Sequence, residues 1–137
     1  MQQPLIHDPI LLARKSAPTT KDDLPAAADL LDTLKAHEAD CVGMAANMIG
    51  VYKRFIAFRD GDKYEVMLNP EILKKSGAYK TREGCLSLLG EPREATRYKI
   101  IKVRWQNEKF ETRIKTFSDF TAQIIQHEID HCEGILI

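Results

Sequence analysis

Apolar positions change their period several times along the chain, and each change marks an element. From Asp22 to Glu38, Ala27, Leu30, Leu31 and Leu34 recur three or four residues apart behind an aspartate cap and an early Pro25. That spacing predicts an amphipathic helix whose role is packing. Next come Phe55 to Arg59, the turn pair Asp60-Gly61, and Tyr64 to Leu68, which together predict a hairpin. A second hairpin is predicted from Tyr98 to Phe117. In it Ile101, Val103 and Trp105 alternate with polar neighbours, Asn107-Glu108 turns, and Phe110, Thr112 and Ile114 return. The helical period then resumes. Ser118 fits an N-cap, Phe120, Ile124 and Ile125 supply a buried face, and Gly134 is placed to stop the helix. Residues before Lys21 keep no sustained period, and Pro4, Pro9 and Pro18 predict an extended segment lying over the surface.

This order of elements predicts an α+β fold. Antiparallel β-sheets pack around a C-terminal helix, with one further helix near the N-terminus and no alternating βαβ units. At 137 residues the chain is expected to form a single domain spanning 1–137. Lysine plus arginine and aspartate plus glutamate balance at 20 each, with no long run of either sign, so no nucleic-acid stripe is implied. No stretch has the length and apolarity of a membrane span, and the N-terminus lacks a charged-then-apolar leader, so the expected location is the cytoplasm. Cysteines stand at 41, 85 and 132, odd in number and scattered, which argues against a disulfide framework and for a reducing compartment.

Candidate chemistry concentrates in His127-Glu128-Ile129-Asp130-His131. Positions i and i+4 of a helix share a face, so the two imidazoles can reach one metal ion while Glu128 stands beside it as a proton acceptor. Upstream, Glu83-Gly84-Cys85-Leu86-Ser87 offers a thiolate as third ligand, leaving a fourth position open, as a catalytic site requires. Thiolate and imidazole suit Zn²⁺ and Fe²⁺ alike. Glu83 is expected to steady the loop or the histidine face. Cys132 directly follows His131 and lies about 100° away from the ligand face. His37 reads as a solvated or dipole-paired histidine, and Arg93 and Arg97 as solvated arginines near a strand.

Val42-Gly43-Met44-Ala45-Ala46, Glu83 to Ser87 and Gln126 to His131, in that order and spacing, resemble the three motifs of the peptide deformylases. Ile6-His7-Asp8-Pro9 resembles the family's entry segment, and the chain's end at Ile137 resembles its short forms. The resemblance implies a metal-dependent amidase that removes the formyl group from the N-terminal methionine of newly made proteins. It implies a metal held by Cys85, His127 and His131, with Fe²⁺ in the cell and Zn²⁺ or Ni²⁺ after purification. Glu128 would be the proton-transfer group, and the backbone N–H of Leu86 would donate to the developing oxyanion. Val42 and Gly43 would pair with the peptide backbone, and Phe120 and Ile124 would line the methionine pocket. For Phe120 and Ile124 an ordinary core role on an amphipathic helix is equally open. Implied partners are N-formyl-methionyl nascent chains and, transiently, the ribosome.

The sequence departs from the resemblance at two positions. The first motif in the family usually reads Gly-x-Gly-x-Ala-Ala-x-Gln, but here Cys41 replaces the first glycine and Met48 the glutamine. In the family that glutamine amide donates to the formyl oxygen as it becomes negative, and a thioether cannot donate. Loss of one such donor typically costs about 10²–10³ in turnover. Asn47 is one place away, but adjacent positions normally face different directions. A weak or inactive relative that keeps the metal and the peptide groove as a binding module therefore stands beside the active hydrolase.

Overall fold

The computed structural model describes residues 1–137. Its elements are α1 (Pro9–Leu12), α2 (Leu24–Ala36), β1 (Gly43–Ala45), β2 (Phe55–Asp60), β3 (Lys63–Glu83), β4 (Arg93–Gln106), β5 (Thr112–Ser118) and α3 (Asp119–Cys132). Short 3₁₀ turns at Lys21–Asp23 and Ala46–Ile49 precede α2 and follow β1. The strands form one antiparallel sheet in the order β1-β2-β3-β4-β5. The α+β architecture is as the periodicity predicts.

The reason the β2 run Phe55-Ile56-Ala57-Phe58 is apolar throughout, rather than alternating, is that both faces of the sheet are covered. Successive side chains point to opposite faces. Ile56 and Phe58 join Met67, Ile101, Val103 and Trp105 in a core built on Ala122, Ile125 and Ile129 of α3. Phe55 and Ala57 join Val66 and Leu68 in a second core built on Ala27, Leu30 and Leu34 of α2. The sheet is the middle layer between the two helices.

Three local readings are corrected. The N-terminal segment is not extended throughout. Asp8 accepts from the N–H of Ile10 at 2.9 Å and Pro9 opens α1, a polar cap followed by a proline with preset φ. Phe110 is not on a returning strand but in the turn, at φ 60°, where the Asn107 side chain accepts from the N–H groups of Lys109 and Glu111 at 3.0 Å. The first hairpin does not end near Leu68, because β3 runs on to Glu83, paired with β4 and irregular in register between Leu68 and Lys74. That bend carries the far half of β3 toward the N-terminal part of α3, and Glu83 ends beneath His127.

Helix α3 starts at the predicted place, though Ser118 stands at the N-cap without a side-chain capping bond. It stops as predicted at Gly134, whose φ is 75°. A Cβ there would lie 2.4 Å from the carbonyl oxygen of Ala13, so no side chain fits. The amide of Gln126 ties α3 to the sheet, accepting from the Tyr98 N–H at 2.9 Å and donating to the Tyr98 carbonyl at 2.8 Å. Strand β5 pairs with β4 only as far as Ile100, and the glutamine amide takes the place of the missing strand.

Candidate metal centre

Cys85, on the loop after β3, and His127 and His131, one helical turn apart on α3, each bring one ligand atom into a group whose members lie within 4.8 Å of one another. Both histidines are buried. Neither Cys41 nor Cys132 joins the group. Cys132 packs in the core on the α3 side, and burial pushes its thiol up to about 12. Cys41 donates to the Gly43 carbonyl at 3.1 Å, and burial followed by the nearby Glu128 charge also raises it to about 12.

Cys85 behaves in the opposite way. Burial alone would raise its thiol, but hydrogen bonding from His127 and His131 outweighs this and brings it down to about 6. Burial likewise works against protonation of both rings. The thiol and the carboxylates of Glu128 and Glu83 overcome it, lifting His127 to about 9 and His131 well above its ordinary value. A half-buried thiolate and two buried carboxylates thus surround two rings, an environment that calls for positive charge. The donor set fits a divalent ion, which would supply that charge through one thiolate and two imidazole nitrogens.

The groups behind the ligands are equally organised. Glu83 is buried and meets His127 Nδ1 at 2.7 Å. It also accepts from Gln123 at 2.9 Å and from Arg97 at 2.7 Å. Burial would raise its pKa, yet these hydrogen bonds hold it at about 2. Arg97 donates in addition to Asp130 at 2.7 Å. Arg97 is therefore not solvated: at 4 % exposure it is a buried cross-link between β3, β4 and α3. The sequence reading missed it because Arg97 pairs with Tyr79 and reaches Glu83 only along the strand, four positions out of register, where α3 covers both. The Asp between the two histidines of the helix motif was the available signal, being a second acid on a helix that is mostly buried. Arg93 stays partly exposed on β4.

A cleft of about 500 Å³ opens beside the group, lined among others by Val42, Gly43, Met48, Phe120, Ile124 and Glu128. The sequence-predicted site residues other than His131 all line this cleft, and His131 joins them through the group it forms with Cys85 and His127. Gly43 is required by close packing, since a Cβ there would lie 2.7 Å from Ile124 and 3.0 Å from a Glu128 oxygen. Strand β1, which carries Gly43, is an edge of the sheet. The Leu86 N–H meets no protein acceptor. Phe120 is not part of the core: it is 61 % exposed in the first turn of α3, over the cleft rather than over the sheet, whereas Ile124 is buried.

Residues 5–137 match the family model described as polypeptide deformylase. The chain belongs to the peptide deformylase family. It is 48 % identical over 137 residues to a peptide deformylase of Clostridium beijerinckii, covering 100 % of both chains. A peptide deformylase of Pseudothermotoga lettingae is 36 % identical over 135 residues, with 96 % of this chain and 77 % of that one covered. Among solved structures, the deformylase of Thermotoga maritima superposes with a TM-score of 0.88 at 30 % identity, covering 99 % of this chain and 95 % of that one. A Met-Ala-Ser-bound class I type b deformylase of Acinetobacter baumannii does so at 0.86 and 30 %, covering 99 % and 96 %. Deformylases are metal-dependent and act on the N-formyl groups of nascent peptides. No helix of this one is long and apolar enough to cross a membrane.

Met48, at the first-motif position where the resemblance implies an oxyanion donor, is 1 % exposed and lines the cleft. Asn47 does not stand in for it. Its amide nitrogen donates to the carbonyls of Leu12 and His131 at 3.2 Å each, on the far side of the centre.

Proposed function

We propose that this deformylase removes the formyl group from the N-terminal methionine of newly synthesised peptides. The supporting observation is the set of Cys85, His127 and His131 donors within 4.8 Å of one another beside Glu128 and an open cleft. The three would hold one divalent metal, Fe²⁺ in the cell and Zn²⁺ or Ni²⁺ after purification. When bound, that ion supplies Lewis-acid chemistry, polarising the formyl carbonyl and acidifying water. Glu128, with one oxygen 2.9 Å from His131 Nδ1 and the other against Gly43, takes the proton of the attacking water and returns it to the departing amine. The free N–H of Leu86 donates to the oxygen that becomes negative. Formate and a free amino terminus are the products.

The peptide backbone would pair with Val42 and Gly43 along the open edge of β1, in the manner of an added strand. Phe120 and Ile124 would line the pocket for the methionine side chain. The Met-Ala-Ser ligand of the A. baumannii neighbour supports a peptide occupant of this cleft. The full 1–137 span would work as a single cytoplasmic domain that meets nascent chains at the ribosome transiently. Formate release from a formyl-methionyl peptide by anaerobically prepared, Fe²⁺-loaded protein tests the reading, with Glu128→Gln as the control. No release from the loaded wild type would refute it.

Met48 favours a second reading, in which turnover is weak and the groove serves to bind formylated or methionine-initiated peptides. The two separate on one sample: peptide binding with no formate release supports the second.

A further inference from the structure

The balanced net charge conceals an asymmetry. Residues 72–118, which hold the far half of β3, β4 and β5, carry 12 lysines and arginines against 5 glutamates, whereas the rest of the chain carries 8 against 15 aspartates and glutamates. Strand pairing gathers part of that surplus on one face. Ile101, Val103 and Trp105 of β4 pack on α3, so Ile100, Lys102 and Arg104 point the other way. Helix α2 covers that side only over β1, β2 and the start of β3, and its core includes no residue of β4 or β5. On the open face Lys74 lies directly opposite Lys102, and Arg104 opposite Ile114. Arg104 meets Glu71 at 2.7 Å, but Lys74, Lys102 and the neighbouring Lys99 meet no carboxylate. Like charges directly opposite each other destabilise a strand pair. Nothing within the fold offsets that repulsion between Lys74 and Lys102.

We infer that this face docks on the phosphate backbone of duplex RNA. A polyphosphate supplies closely spaced anions to unpaired lysines and releases counterions as it does so. The exposed positions around the lysines, Ser76, Ile100, Ile114 and Thr116, include no aromatic ring. Unpaired bases therefore find no stacking platform, and recognition falls on the backbone. A-form RNA presents a wide, shallow minor groove rimmed by phosphates, which a sheet face can meet. Two isoleucines on short strand side chains offer too little apolar surface for insertion into a bilayer. The choice of RNA over DNA rests on the proposed function, since newly made peptides emerge from an RNA-rich assembly. Lys74, Lys99 and Lys102 do not line the cleft, so the face is distinct from it.

Fluorescence anisotropy of a labelled RNA duplex of about 16 base pairs, titrated with the full, Zn²⁺-loaded chain, tests the inference. With about four phosphates neutralised, affinity should fall about 100-fold between about 50 and 200 mM salt. Lys74→Ala and Lys102→Ala should each weaken binding and lower the salt slope by about 1, while Lys21→Ala, on the turn before α2, should bind as the wild type does. Because the two lysines repel, neither variant should lower the urea midpoint, and both should match the wild type in formate release. No binding at low salt, unchanged binding in both variants, or an equal loss in Lys21→Ala would overturn the inference. Equal or tighter binding of a DNA duplex of the same sequence would overturn the choice of RNA. Capture by phosphatidylglycerol–phosphatidylcholine vesicles without RNA binding would overturn it in favour of a membrane surface. RNA binding by protein that releases no formate would support the docking face and refute the proposed function alone.

Discussion

Replacing Met48 by glutamine should accelerate formyl hydrolysis. Met48 lies at 1 % exposure in the 3₁₀ turn Ala46–Ile49 and lines the cleft beside Cys85 and Leu86. Its thioether offers no donor, so on the proposed mechanism the Leu86 N–H is left to meet the oxyanion without a side-chain donor from the first motif. A second preorganised donor contributes roughly 3–4 kcal/mol to the barrier, which corresponds to about 10²–10³ in turnover. Methionine and glutamine side chains are of similar length, so the exchange leaves little void. Against this, the Met48 side chain belongs to the apolar core on the α2 side. An amide there, satisfied only by a substrate, should lower the stability of the free protein by about 1–3 kcal/mol. The expected pattern is therefore a faster but less stable enzyme. Cys41 does not have a positive φ, so its backbone does not demand glycine, and Cys41→Gly alone should change little. The double variant Cys41→Gly/Met48→Gln checks that the loop path is not the obstacle. The assay is formate release under anaerobic conditions at matched Fe²⁺ occupancy, with urea denaturation for stability. High native turnover that neither variant improves would show that the oxyanion is stabilised by other means, and the weak-enzyme reading would fall with it.

Four further outcomes are expected. Glu128→Gln should abolish hydrolysis while metal content by elemental analysis stays at one per chain, because a neutral amide cannot accept the proton of water. Cys85→Ser and His131→Ala should each lose the metal, and anomalous scattering should place the wild-type ion at Cys85, His127 and His131; an ion at Cys41 or Cys132 would refute the assignment. Arg97→Met leaves Glu83 and Asp130 without their shared cation, and since breaking a buried pair costs about 3–5 kcal/mol, the urea midpoint should drop sharply. Glu83 has its carboxyl lowered from 4.5 to about 2 by His127, Arg97 and Gln123 in spite of burial, so its contribution to stability is fully present above pH 4.5 and is lost as pH falls toward 2. The urea midpoint of metal-free protein should decline over that window, and the decline should be shallower in Glu83→Gln.

The two helices, the turn at Asp60-Gly61, the strands carrying Phe55 to Phe58 and Ile101 to Trp105, and the stop at Gly134 were legible from the chain alone, because burial against one layer imposes a period that local residues must obey. The candidate donor trio, which the structure gathers within 4.8 Å, was legible too. Two of its members are one helical turn apart, and the third stands in a short motif of its own. Other features were decided only in three dimensions. The far half of β3, exposed and lysine-rich from Lys74 to Arg82, carries no alternating apolar signal, and it is a strand because β4 supplies its hydrogen-bond partners. Arg97 reads as an ordinary strand arginine until the packing of α3 on β3 and β4 sets its side chain between Glu83 and Asp130. Phe120 has a core residue's spacing but not a core residue's surroundings, because α3 begins beyond the sheet it packs on. Asn47 and Met48 are neighbours in the chain, yet the 3₁₀ turn sends the one amide behind the centre and leaves the cleft with a thioether. Periodicity reports which face of an element is buried, since that is a property of the element itself. Which groups meet across elements depends on register, bends and turns, and those are set by partners far away in the chain.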